Sequence, residues 1–117
     1  MPRILLVDDE QDNLDMFCDR LRLEGFTVNC YTDAEAALSD FKPDFYDLVI
    51  LDYLLPNLNG LQLFDKLREK DNSIRAVLLT ADQELVEVGN ILDVIKKPIY
   101  PSKLVQRIRN ILNSVKS

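Results

Sequence analysis

Ile4-Leu5-Leu6-Val7-Asp8-Asp9-Glu10 runs four strong strand formers directly into three carboxylates. The apolar half shows no polar alternation, so a strand built from it must be covered on both faces, as in a parallel sheet between helices. The acidic half is harder to accommodate. Two carboxylates about 4 Å apart repel by on the order of 4 kcal/mol at an effective dielectric of ~20, a fair part of a small domain's stability. Something must offset that repulsion.

Working outward, short apolar runs recur at Leu48 to Leu51 and Ala76 to Leu79, with a weaker one at Ile91 to Ile95. Between them lie helical patterns. Leu14, Phe17, Cys18 and Leu21 share one face, as do Ala34, Ala37, Leu38 and Phe41, then Leu61, Phe64 and Leu67, and finally Leu104, Ile108, Ile111, Leu112 and Val115. Thr32 followed by Glu35 predicts a capping box for the second helix, Gly25 suits the end of the first, and Pro101 can open the last. Phe26 to Cys30 alternates apolar and polar residues, which suits a strand at the sheet edge. Strand and helix alternating five times predict an α/β fold, a doubly wound parallel five-stranded sheet with helices on both faces. No linker, repeat or low-complexity tract interrupts the 117 residues, so residues 1–117 are expected to form one domain.

Charge and composition narrow the function. A formal net charge of -6 argues against direct binding of nucleic acid, whose phosphates call for a basic stripe. No apolar stretch approaches the ~20 residues of a membrane span, and no signal-peptide pattern opens the chain, so no membrane association and a cytoplasmic location are expected. Cys18 and Cys30 are too few for a disulfide framework and fall on apolar positions, which predicts two small buried thiols. Histidine is absent, removing the commonest metal ligand, general base and phosphoryl carrier. Carboxylates, hydroxyls and lysines must do any chemistry.

The polar residues that end the strands are the candidates. Asp8 and Asp9 follow the first run, Asp52 the third strand, Thr80 the fourth, and Lys96 with Lys97 the fifth. In a parallel sheet these ends share one edge, where open α/β folds bind ligands. Each residue alone reads as a turn former, a cap or a solvated charge. Together they outline a site for a hard divalent cation, because Mg²⁺ takes oxygen ligands and is held by one or two carboxylates plus a phosphate. A carboxylate beside such a metal and an ammonium can attack a phosphoryl group in line. Asp52, alone at the centre of the edge, is the expected nucleophile.

With these residues placed, the chain strongly resembles the single-domain, CheY-like receiver domains of two-component response regulators. The matching pieces are LLVDDE, LVILDYLLPNLNG with Asp52, Pro56 and Gly60 in register, LLTA ending the fourth strand, and KKP with Lys97 before Pro98. The resemblance implies a flavodoxin-like fold with strand order 2-1-3-4-5. It implies that Asp52 accepts a phosphoryl group from a phosphohistidine on a sensor histidine kinase or phosphotransfer protein, and that the module signals to a downstream protein through contacts, as a monomer or weak dimer. Asp9, Asp52 and the backbone carbonyl of Leu54 would bind Mg²⁺ directly, with Asp8 acting through water. Thr80 and Lys97 would contact phosphoryl oxygens, and the Lys97–Pro98 bond would be cis. Glu10 is read as a helix-start charge rather than a ligand. The module would be a phosphoacceptor rather than a turnover enzyme.

Two departures stand out. Val94 occupies the place, three residues before the site lysine, where receivers usually carry an aromatic switch residue; Tyr100 is nearby but reads as cover at the start of the last helix. The segment from Thr80 to Lys97 is also about five residues short, removing more than one helical turn at 3.6 residues per turn, which predicts a shortened fourth helix. These features favour the alternative of a phosphorylation-independent interaction module, which the intact acid, Thr80 and Lys97 set opposes. A Mg²⁺-dependent phosphohydrolase is the enzymatic alternative, but the place two residues after the nucleophile, where such enzymes carry a general acid, holds Leu54.

Overall fold

The computed structural model describes residues 2–81 and 90–116, the last two as backbone only. Its elements are β1 (Arg3–Val7), α1 (Gln11–Leu23), β2 (Thr27–Tyr31), α2 (Ala34–Asp40), β3 (Leu48–Asp52), α3 (Gly60–Lys70), β4 (Ala76–Thr80), β5 (Ile91–Lys96) and α4 (Pro101–Lys116). The strands form one parallel sheet in the order β2-β1-β3-β4-β5. This is the expected flavodoxin-like arrangement, with the alternating strand at an edge. The shortened fourth helix lies outside the described residues.

Uninterrupted apolar runs feed two cores at once. Ile4 and Leu6 point to a layer with Leu14, Phe17 and Leu21 of α1 and Leu104, Ile108 and Leu112 of α4. Leu5 and Val7 point to the opposite layer, with Ala34 and Ala37 of α2 and Leu63, Phe64 and Leu67 of α3. Period-2 alternation therefore partitions each strand between two apolar layers rather than between core and water. In β5 the register slips between Ala76↔Ile91 and Val77↔Asp93. One extra residue reverses the facing of the rest of the strand, so Ile91 joins the α2/α3 layer and Ile95 the α1/α4 layer.

Several local expectations are corrected. The N-cap of α2 is Asp33, whose carboxylate accepts from the Glu35 N–H at 3.2 Å, not Thr32. On α3, Leu63 is buried and Leu61 only half-buried, because the helix starts at Gly60 and turns Leu63, Phe64 and Leu67 inward. A reciprocal capping box, Asn59 with Gln62, opens that helix, and its three-residue spacing is visible in the sequence. Cys18 and Cys30 are not free thiols but a disulfide. Packing of α1 on β2 brings their Cα atoms to 6.7 Å, within bonding range. Gly25, at φ 101, ends α1 in the left-handed region, and Pro101 opens α4. No described helix is long and apolar enough to cross a membrane.

Asp71, at the end of α3, ties two loops on the far side of the sheet from the acid cluster. Its carboxylate accepts from Ser73 Oγ at 2.6 Å, Ser73 N at 3.1 Å and Asp44 N at 2.9 Å, and Asp44 sits at φ 60. The Ser73 hydroxyl first, then the Asp44 amide, holds the carboxyl below its ordinary range. Asp71→Ala is expected to cost about 2 kcal/mol at pH 7 by orphaning these donors. A depressed folded-state pKa stabilises above the unfolded value of about 4 and stops doing so as pH falls through the folded value. The deficit should therefore shrink between pH 5 and pH 2.5 in urea melts; a deficit independent of pH would refute the charged-acceptor account.

Candidate metal and phosphoryl site

Each candidate is delivered by a strand end. Asp8 follows β1, and its amide donates to the Tyr31 carbonyl of β2 at 3.1 Å, extending the sheet by one residue. Its side chain is fully buried: Oδ1 accepts from the Glu10 amide at 3.0 Å and Oδ2 from Lys97 Nζ at 3.4 Å. Asp52, the last residue of β3, is buried and accepts from the same Nζ at 3.2 Å. Thr80, buried, closes the neighbouring strand β4 one residue past Leu79, the register partner of Asp52. Lys97 is steered by its own backbone, whose amide donates to the Thr80 carbonyl at 2.8 Å just before the cis Lys97–Pro98 bond. Asp9 is exposed, yet Asp8, Asp9 and Asp52 each offer a carboxylate oxygen within 4.8 Å of the others.

The helix behind Asp52 is pressed against its backbone. Gly60 N donates to the Tyr53 carbonyl at 2.8 Å, and an added Cβ would lie 2.7 Å from the Asp52 carbonyl oxygen. Only glycine lets α3 start this close.

Electrostatics at the site are unbalanced. Three carboxylates against one ammonium leave a formal charge of -2, since -3 and +1 sum to that value. Burial pushes the Asp52 carboxyl up to about 6; Lys97 opposes this, and Asp8 and Asp9 add to it. For Lys97, burial favours the neutral amine, but Asp52 and Asp8 outweigh it and its pKa is raised. The donor set is all oxygen, converging and doubly negative, which fits Mg²⁺. Beside it opens a cleft of about 770 Å³ whose lining includes the charged Asp9, Asp52 and Lys97 and the largely apolar Met16, Leu54 and Tyr100.

Asp8, Asp9, Asp52 and Lys97 are thus brought together, Thr80 ends the neighbouring strand, and Leu54, 67% exposed, lines the cleft. Lys96 is exposed, and the contacts to Asp8 and Asp52 are those of Lys97. Glu10 occupies the N-cap of α1 without a side-chain cap bond. Val94 is half-buried, and Tyr100, 77% exposed, precedes α4. Sequence reasoning missed two supports of the site, the Asp8 bond to the Glu10 amide and the Gly60 contact.

A sequence model of the family described as "Response regulator receiver domain" matches residues 4–109. The chain belongs to that family. Among curated relatives, this receiver domain is 32% identical over 121 residues to the response regulator SaeR of Staphylococcus aureus, covering 99% of this chain and 53% of the relative. It therefore spans about half the length of the curated relatives it matches. Solved structures agree. The non-phosphorylated HemR receiver domain from Leptospira biflexa aligns with a TM-score of 0.85 at 28% identity, covering 96% of this chain and 94% of that one. The response regulator TrrA from Thermotoga maritima, solved in complex with Mg²⁺-BeF, aligns at 0.78 and 27%, covering 95% and 99%. This receiver domain accordingly belongs to two-component signalling, and the phosphorylation-independent alternative is not favoured.

Proposed function

We propose that Asp52 is the phosphoacceptor of this receiver domain, drawing its phosphoryl group from a phosphohistidine on a sensor histidine kinase or phosphotransfer protein in a Mg²⁺-dependent reaction. The observation that carries this reading is the Lys97 ammonium shared by the buried Asp52 and Asp8 carboxylates, with Asp9 within reach. Asp8, Asp9, Asp52 and the Leu54 carbonyl would hold the ion. When bound, Mg²⁺ supplies positive charge against the acid cluster and the transferring phosphoryl oxygens. A carboxylate oxygen of Asp52 forms the new O–P bond as the donor's N–P bond breaks, and the released imidazole nitrogen takes up a proton. Lys97 leaves Asp52 for a phosphoryl oxygen while keeping Asp8, and the Thr80 hydroxyl donates to another. Burial of the acceptor carboxylate excludes competing bulk water.

In this reading residues 1–117 act as one receiver unit, a phosphoacceptor without turnover of other substrates, which works in the cytoplasm as a monomer or weak dimer and passes its state to a downstream protein. Direct contact with nucleic acid or membrane plays no part. The test is labelling with radioactive acetyl phosphate in Mg²⁺ and in excess chelator, together with ¹⁹F detection of bound beryllofluoride. Label and bound fluoride are expected with Mg²⁺ only, and Asp9→Asn is expected to raise the Mg²⁺ concentration needed by at least about tenfold. A wild-type protein that takes neither label nor beryllofluoride in Mg²⁺ would overturn the proposal.

A further inference from the structure

We infer that the Cys18–Cys30 pair is a reversible thiol–disulfide modification site outside the acidic cleft, entered by attack at Cys30. The two sulfurs are unequal. Cys18 is on the inward face of α1 and is 3% exposed, whereas Cys30 is half-buried on the edge strand β2. Arg22, one turn after Cys18 on the same helix, places Nη2 3.8 Å from Cys30 Sγ and is itself held by the Val28 carbonyl at 2.8 Å. A fixed guanidinium beside a reachable sulfur favours its thiolate, the form that enters disulfide exchange. The helix that carries this cation also carries the second sulfur, with the two Cα atoms 6.7 Å apart. Either state is compatible with the same packing, since reduced cysteine behaves as a small apolar side chain.

With a low-molecular-weight disulfide such as oxidised glutathione as the oxidant, the Cys30 thiolate attacks one glutathione sulfur. The glutathione S–S bond breaks and one glutathione thiolate leaves. The Cys18 thiolate then attacks Cys30 Sγ, displacing the second. The two cysteine protons end on two reduced glutathione molecules, so two cysteine thiols and one oxidised glutathione become one protein disulfide and two reduced glutathiones. The bond joins positions 12 apart in sequence across the end of α1, the Gly25 turn and most of β2, a strand paired on one side by β1. Oxidation pins this corner of the sheet covalently; reduction leaves it held by its pairing with β1, its hydrogen bonds and side-chain packing.

The experiment equilibrates the folded protein in buffers of graded reduced-to-oxidised glutathione ratio, quenches with acid, alkylates and maps the peptides, with thermal melts of the same samples. An intramolecular Cys18–Cys30 link should accumulate as oxidised glutathione rises, vanish in excess reduced glutathione, and raise Tm by on the order of 10 °C. Arg22→Gln should slow the first exchange several-fold while leaving the final linked fraction unchanged, and Cys30→Ala should abolish the link in a folded protein. Two alkylated thiols in oxidised glutathione alone, glutathione retained on Cys30, a link between copies, or a link that resists reduction would each overturn the inference. The thiol readout is independent of Asp52 labelling, so failure of one reading leaves the other standing.

Discussion

Asp52→Asn is expected to reduce phosphoryl labelling at least a hundredfold and, in chelator, to make the domain more stable. The first effect follows from removing the only buried carboxylate, among the described residues, that both faces the cleft and shares Lys97 with Asp8. The second follows from the site's imbalance. Burial, aided by Asp8 and Asp9, raises the Asp52 carboxyl to about 6, so its ionised form opposes folding at neutral pH. An acid with a raised folded-state pKa binds its proton more tightly in the native state. Stability of the metal-free wild type should therefore fall as pH rises from about 4 to about 6, and the variant should lack that slope. At pH 7.5 the variant's advantage should be about 1–2 kcal/mol, vanishing near pH 4, because Lys97 keeps Asp8 as partner. Melts in chelator at both pH values decide it: an equal advantage at both would refute the charge explanation. Label persisting on another carboxylate would refute the acceptor assignment.

Gly60→Ala tests the support behind the site. Its new Cβ would meet the Asp52 carbonyl oxygen at 2.7 Å, Tyr53 Cα at 3.0 Å and Leu78 Cδ2 at 3.2 Å. Two of these atoms are backbone at the end of a buried strand and cannot rotate away. Alanine's better helix propensity recovers about 1 kcal/mol, so a net loss of about 2–3 kcal/mol is expected from the forced separation of α3 and β3. Because the strand end carrying Asp52 must shift, beryllofluoride binding should weaken in step. Asn59→Ala serves as the control: it removes the capping box, costs about 1 kcal/mol, and should leave binding unchanged. If Gly60→Ala unfolds within about 0.5 kcal/mol of wild type, the close approach of α3 is not a constraint.

The strands and their common polar rim were legible because burial on both faces leaves a plain mark, an apolar run that stops at an acid, a hydroxyl or a lysine. Val7–Asp8, Leu51–Asp52 and Leu79–Thr80 all carry it. Contacts set by backbone approach carried no such mark. Gly60 reads as a helix-breaking residue until α3 is laid on Asp52, and the Glu10 amide reaching Asp8 is a main-chain event. Competing caps one residue apart, Thr32 and Asp33, differ only in which side chain meets the Glu35 amide, a matter of entry angle. Cys18 and Cys30 fall on apolar positions of their elements, but their pairing depends on how far α1 slides along β2. The choice between Lys96 and Lys97 likewise depends on where β5 stops pairing with Thr80.

Asp8 and Lys97 meet across 89 positions of chain. During translation the acids of β1 and β3 leave the ribosome long before the cation that reconciles them. A nascent chain with four strands exposed holds its carboxylates in mutual repulsion, without the Lys97 ammonium, with β5 still missing from the β4 edge of the sheet and α4 from one face. Closing the pocket is therefore coupled to synthesis of β5 and the residue that follows it, and a chain that stops short of Lys97 would leave the Asp8 and Asp52 carboxylates without the ammonium they share in the folded site.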